Sequence, residues 1–476
     1  MKTPSADGVS VLKVDIMKKS DRQHLLLHEK NMYKAFAVLA MPVFFSNMLK
    51  SFHDLVDTYF IGQMENSVAA QAGISIAWPP LNILMSLVTG LCVAGVAVIS
   101  QYNGAGDKQR SKQFSMLLLE LAGILGVALN ALVYVLSPII LTWMGAQDQP
   151  GVYEEALTYL RVRAFEMVPF LLFSAFQAIR QARGDTQTPV TLSFIAVGVN
   201  IVLTGVFVKI YSMGVLGAAL ATVIGQIVIL PIALYLLFSR RGDQMTARDF
   251  YYNTRDMTHL FRIAAPSAGS QALASLGFLV LQSIILQYGA VVAAAFSIGN
   301  KVSNLLLMPM MALSSVLAAF IGQNVGAGNP ARARNAYRIS RNLTLAISVI
   351  GALVIYPFRE GLLSLLTNSE ETLAVAMEYI FWVLLTQPLM GMFQNYMGVF
   401  NGSGNTRYSF VMAVVRLWFI RLPMIYAFRT FTNIGRSGVW YAMVISNFIM
   451  IFFGLYLLKK VTFEPIIRDK KIAKQA

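Results

Sequence analysis

The sequence predicts an all-α membrane protein of twelve transmembrane helices, arranged as two six-helix lobes related by a parallel repeat. Three observations carry that reading. Of 476 residues, 56% are apolar and only 13% are charged, against about 25% charged in an ordinary soluble domain. Three runs hold no Asp, Glu, Lys or Arg, namely Glu65 to Asp107, Glu120 to Asp148 and Arg262 to Lys301; each exceeds the roughly 20 residues a helix needs to cross a bilayer core. The two halves also repeat one another at an offset of about 220 residues. So much apolar surface cannot be covered by so few charges in water, which excludes a soluble enzyme and a disordered chain. One cysteine, Cys92, excludes a disulfide scaffold. The apolar runs are continuous rather than alternating, which excludes a β-barrel.

Apolar segments of helical length recur at 36–61, 76–101, 113–137, 156–180, 189–208, 215–238, 261–287, 297–322, 337–357, 375–400, 409–428 and 437–458. They divide into an N-lobe, 36–238, and a C-lobe, 261–458, joined by a polar, basic linker, 239–260, and flanked by tails 1–35 and 459–476. The first tail is polar and mixed in charge, so no cleavable leader is expected. Of 38 basic residues, 28 fall in the tails and the loops on their side of the membrane. Lys209, Arg359, Arg429 and Arg436 are the only four opposite. The excess of Lys and Arg on one side places both termini in the cytoplasm of a cell membrane. It also accounts for the net charge of +15, so no nucleic-acid partner is called for; the partners expected are the lipid bilayer and small organic molecules, with the chain acting as a monomer.

The repeat has four landmarks in order. The first and seventh spans open on Phe36 to Pro42 and Phe261 to Pro266. The second and eighth end on Ile99 to Gly106 and Ile321 to Gly328. Gln181 to Thr186 follows the fourth span as Asn401 to Thr406 follows the tenth, and Gly214 and Gly217 open the sixth as Gly435 and Gly438 open the twelfth. Six spans return each half to its starting side, so the repeat is parallel, an architecture of secondary transporters whose central cavity opens to alternate sides. No Walker lysine motif is present, and the Gly-Ala-Gly turns at 104–106 and 326–328 follow apolar helices, so they are read as helix C-caps and not as phosphate loops. No nucleophile, base or metal constellation supports an enzyme. No cofactor is expected.

Ionisable residues inside the spans are the functional candidates, because charge in a bilayer is costly. Lys50, Asp54 and Asp57 lie at i, i+4 and i+7 on one face of the first span, and His53 reaches Asp57 at i+4. A carboxylate here can exchange H+ or Na+ (Asp57 first, Asp54 second), while Lys50 with Asp54 reads as a structural ion pair. Glu166 either pairs with Arg163 or takes part in transport. Arg416 and Arg421 lie in the eleventh span, and either face a water-filled cavity or bind helix carbonyls. The 24 Met and 30 Phe suit a cavity for flat hydrophobic cations, although ordinary helix packing accounts for most of them.

Several segments together resemble the multidrug and toxic compound extrusion (MATE) family over roughly 33–460. They are Ala40 to Pro42, Asp54 to Gly62, Val68 to Ala70, the Gly-Ala-Gly turns, Arg183 to Thr186 and Gly214 to Ala221. The resemblance implies a cation site in the N-lobe. It assigns helix bending to Pro42 and coupling to Asp57, fifteen residues on. It adds Asn200 of the fifth helix, Tyr159 of the fourth and Thr222 of the sixth. Thr204 stands where the family places an Asp, which weakens a Na+ site and favours a single proton on Asp57. The seventh and tenth helices offer Gln282, Gln387 and Gln394 in place of acids, so no C-lobe cation site is expected. With His53 and Arg416, these glutamines form the expected substrate cavity. The function implied is a secondary active antiporter that exports cationic or amphipathic drug-like compounds in exchange for H+ or Na+. The alternative is a lipid-linked oligosaccharide flippase of the related superfamily.

Overall fold

The structure is a computed structural model and describes residues 25–62, 67–148, 151–239, 243–251, 253–367 and 369–467. Eleven helices are long and apolar enough to span a membrane, and one bent pair makes the twelfth. In order they are α1 (Met32–Gly62), α2 (Ser67–Gly104), α3 (Lys108–Trp143), the pair α4a (Val152–Ala164) and α4b (Met167–Ala182), α5 (Gln187–Gly205), α6 (Gly214–Phe238), α7 (Thr254–Leu286), α8 (Ala290–Gly326), α9 (Pro330–Ser364), α10 (Glu370–Gly402), α11 (Thr406–Phe431) and α12 (Ser437–Lys459). No strand occurs among the described residues. All twelve apolar segments are thus spans, and most helices run several residues past them. Helix α7 starts at Thr254 because Asn253 caps it, accepting the Arg255 N–H, with Asp256 in the first turn; such polar turns are invisible to hydropathy yet favourable at a helix N-terminus.

The repeat is visible in the backbone. Asp107 caps α3 through the Arg110 N–H at 2.9 Å, and Asn329 caps α9 through the Arg332 N–H at 3.0 Å. The glycines just before them, Gly106 and Gly328, adopt left-handed φ of 77° and 69°, which confirms the Gly-Ala-Gly segments as helix-terminating turns. A Cβ on Gly217 would sit 2.9 Å from the Phe207 Cβ, and one on Gly438 would sit 2.9 Å from the Phe428 Cβ. Both members of that contact recur 221 residues later.

The core does not divide cleanly at the linker. The first turns of α1, including Phe36 and Leu39, pack among Leu313, Phe320 and Phe400 of the second half, and Phe36 stacks on Phe320 with centroids 4.6 Å apart. In return Leu260, Ile263 and Ala264 of α7 pack among Phe176 and Leu237 of the first half. The buried residues of each crossing end just before a proline inside the helix, Pro42 in α1 and Pro266 in α7, and the half-buried Val43 and Phe44 carry the first past it.

The two halves close on one another at the end that carries the chain termini. Gln323 donates to the Ala182 carbonyl at 2.7 Å, and Gln181 donates to the Ser315 carbonyl at 2.8 Å. Past α12 the chain crosses this seam, where the Ile466 N–H reaches Gln101 Oε1 at 2.9 Å and Ile467 is buried in the first half's core. Nearby, Asp243 takes ion pairs from Arg180 at 3.1 Å and Arg183 at 2.6 Å, tying the start of the linker to the end of α4b.

Candidate functional site

Helices α1, α4b, α5 and α6 enclose a cavity of about 100 Å³, whose polar wall includes Lys50, His53, Gln177, Asn200, Thr222 and Gln226. A directed chain of hydrogen bonds crosses it. His53 Nε2 donates to Asn200 Oδ1 at 2.7 Å, Asn200 Nδ2 to Thr222 Oγ1 at 3.2 Å, and the Thr222 hydroxyl to the Ala218 carbonyl at 3.1 Å. Because an amide oxygen only accepts, this bond puts the proton of the imidazole on Nε2. The chain joins α1, α5 and α6 around one buried side chain, Asn200, and successive bonds of this kind strengthen one another where water is scarce.

Asn200 and Thr222, expected in one cation site, therefore meet, and His53, expected in the substrate cavity, joins them. The α1 backbone carries Asp54 and Asp57 one and four residues beyond His53; their side chains lie outside the described residues. Helix α1 runs through Pro42 without a break. Thr204, one turn past Asn200 on α5, is fully buried, and its hydroxyl has no hydrogen-bond partner among the described residues. Tyr159 packs instead with Ile61, Val215 and Ala219, on the far side of the break in α4 from α4b. That break, a bend of 48°, holds Glu166, whose Oε2 lies 3.0 Å from Arg163 Nε with both side chains buried. Of the two readings open for Glu166, this geometry fits pairing. Gln177 and Gln226 were not singled out from sequence. Both lie on helices that already supplied candidates, and the signal available was a glutamine in an otherwise apolar span.

In the second half Arg416 of α11 meets α10 at residues that lie in sequence between Gln387 and Gln394. The Arg416 guanidinium lies 4.0 Å from the Phe393 ring centroid and donates to Met390 Sδ at 3.1 Å; these residues sit between the two glutamines on α10. Gln387 is buried and donates to Ser303 Oγ at 2.8 Å. Gln282 is exposed on α7 and does not join them. Arg421, five residues past Arg416, is buried and donates to Ser446 Oγ at 3.0 Å and Asn447 Oδ1 at 2.7 Å on α12. Both arginines lie in a π-helical stretch, Val415–Arg421, of a kind often found at functional sites.

The arrangement comprises a small polar cavity beside an acid-bearing helix in one half, and buried cations in the other. The family description MatE matches residues 42–206 and 266–427, two stretches that start at Pro42 and Pro266. A probable multidrug resistance protein of Bacillus subtilis, YoeA, is 24% identical over 436 residues, spanning 90% of this chain and 94% of that protein. An FAD transporter of Shewanella oneidensis is 27% identical over 420 residues, spanning 87% of this chain and 91% of that one. A solved structure described as the outward-facing conformation of a multidrug resistance MATE family transporter of the MOP superfamily has a TM-score of 0.86 at 23% identity, covering 93% of this chain and all of that one. The two matched stretches cover most of both six-helix halves, so the chain belongs to the MatE family and is a multi-pass membrane transporter.

Proposed function

We propose that the chain is a monomeric secondary active antiporter, with both termini in the cytoplasm, that exports amphipathic drug-like organic compounds in exchange for H+ in preference to Na+. The observation that carries this is the N-lobe cavity, whose wall is the His53–Asn200–Thr222 chain and whose helix α1 bears Asp54 and Asp57 within the next turn. Protonating Asp57 removes a charge from α1 in the turn beyond His53. Pro42, which has no N–H to close the preceding turn, stands where α1 leaves the core of one half for the cavity of the other, so a change in α1 shifts its packing against both. Thr204 in place of a second acid supports one proton over a Na+ ion, which takes several oxygen ligands. The names of the relatives, a multidrug resistance protein and an FAD transporter, support organic substrates with flat aromatic parts.

Flux of a dye or drug in proteoliposomes tests this, with pH and Na+ gradients imposed separately. The pH gradient drives exchange and the Na+ gradient alone does not. Asp57→Asn folds and binds substrate but loses the pH-driven flux. Unchanged coupling in Asp57→Asn refutes the proposal, and flux driven by Na+ alone replaces the ion.

A further inference from the structure

The repeat supplies a comparison between the two halves that neither half supplies alone. The contact of Gly217 with Phe207 recurs in Gly438 with Phe428, which sets the register of α6 on α12, and of the later part of α5 on α11, at 221 residues; at the helix starts, Thr186 on Thr406, the offset is 220, and the π-helical stretch Val415–Arg421 takes up the difference. In that register Arg421 stands where Asn200 stands, and Ser446 stands where Gly225 stands. The contacts agree. A Cβ on Gly225 would lie 3.4 Å from the Asn200 Cβ, and Ser446 Oγ accepts from Arg421 Nε at 3.0 Å. On the lead helices, Pro42 pairs with Pro266, so His53, Asp54 and Asp57 map onto Gly277, Phe278 and Leu281. At the positions that match the N-lobe's asparagine and acids, the second half therefore carries an arginine and no acid.

Arg416 and Arg421 sit 11 and 16 residues into the 26-residue span Thr406–Phe431, which is mid-membrane, where a charge needs a partner. Their recorded partners are a hydroxyl, a side-chain amide oxygen, a thioether and an aromatic face. No carboxylate pairs with either among the described residues. A thioether is a weak acceptor, and each guanidinium has five N–H donors, so donors remain unspent; Arg416 Nε has no hydrogen-bond partner among the described residues. A neutral side chain would satisfy Ser446 and Asn447 without the burden of a buried charge. A counter-ion that the described residues do not supply is one that a ligand can bring, and a planar guanidinium suits a phosphoryl or carboxylate group.

We propose that the part of α11 that carries Arg416 and Arg421 binds the anionic group of an amphipathic substrate, while Phe393 and Met390 take part of its apolar body. This rests on the reading of the chain as a carrier of organic substrates and names their charge. A phosphate ester on a flat aromatic compound and an anionic lipid headgroup share the chemistry required.

The test is equilibrium binding to the purified full-length protein in nanodiscs, with flavin mononucleotide as probe and riboflavin, the same ring without phosphate, as its control. Flavin mononucleotide binds about tenfold or more tightly than riboflavin, as charge-assisted hydrogen bonds imply. Arg421→Gln and Arg416→Gln each remove the difference and leave riboflavin binding unchanged; Arg416→Gln keeps the comparison valid if loss of the α12 contacts unfolds the first variant. Phosphatidylglycerol nanodiscs that displace the probe, where phosphatidylcholine does not, assign the site to lipid headgroups, and no displacement assigns it to soluble phosphate esters; both outcomes uphold an anion site. Equal binding of the two flavins, binding of neither, or a difference that survives both substitutions overturns it. Failure of gradient-driven exchange with this binding intact counts against the antiport reading alone.

Discussion

His53 and Asn200, 147 residues apart in sequence, meet through a 2.7 Å hydrogen bond that ties α1 to α5 at the wall of the N-lobe cavity. Asn200 then passes the connection to Thr222 on α6. The first of these helices packs its opening turns into the other half of the molecule. A displacement of α1 beyond Pro42 therefore acts on the polar wall of one half and on the core contacts of the other.

Asn200→Ala removes the middle of that chain. The amide is 2% exposed, so its loss leaves polar groups of His53 and Thr222 facing the cavity without this partner, at a penalty of about 1–3 kcal/mol. The thermal midpoint of the purified protein falls by a few degrees, and pH-driven flux drops more than substrate binding does. Flux at the wild-type rate in a destabilised variant would separate this chain from coupling.

Glu166→Gln tests the bend in α4. With the Arg163 and Glu166 side chains 7% and 4% exposed, neutralising Glu166 removes this ion pair from a buried arginine, a change worth up to about 3–5 kcal/mol. The thermal midpoint falls further than in Asn200→Ala, while the flux of the surviving folded fraction keeps its dependence on the pH gradient. A loss of that dependence with unchanged stability would move Glu166 from the structural to the coupling set.

Particular residues show what could be read without the structure. The spans were legible because lipid demands long apolar runs, and the repeat because turns such as those at Gly106 and Gly328 need left-handed φ values that few residues accept. The crossing of Phe36 and Ile263 into opposite halves was not legible, since an apolar side chain gives no sign of which core receives it. Gln282 was expected in the cavity for its polarity, which does not report the direction a helix faces; its place on α7 is exposed. Arg421 was within reach, because adding the repeat offset to Asn200 leads to it, but a landmark repeat directs attention to glycines and prolines that match, whereas the informative positions are those that differ.

The seam between α2 and α8 carries the last prediction. Gly104 abuts the backbone of Gln323, and Gly326 abuts the backbone of Gln101, in a reciprocal pair; a Cβ on either glycine would overlap the facing main chain. Backbone cannot move aside as a side-chain tip can, so Gly326→Val must push the two helices apart at the end that bears the termini. Each half supplies one glycine, so the substitution opposes closure there without touching either pocket. Spin labels at Lys108→Cys and Ala331→Cys, both exposed positions, read the separation in a Cys92→Ala background. Gly326→Val lengthens and broadens the distance and reduces flux by about tenfold, which corresponds to roughly 1.4 kcal/mol against the closed state. Gly361→Val is the control, because a Cβ there meets nothing within 4 Å, and it leaves distance and flux as they were. If Gly326→Val also leaves the distance unchanged, the two glycines are not what permits this end to close.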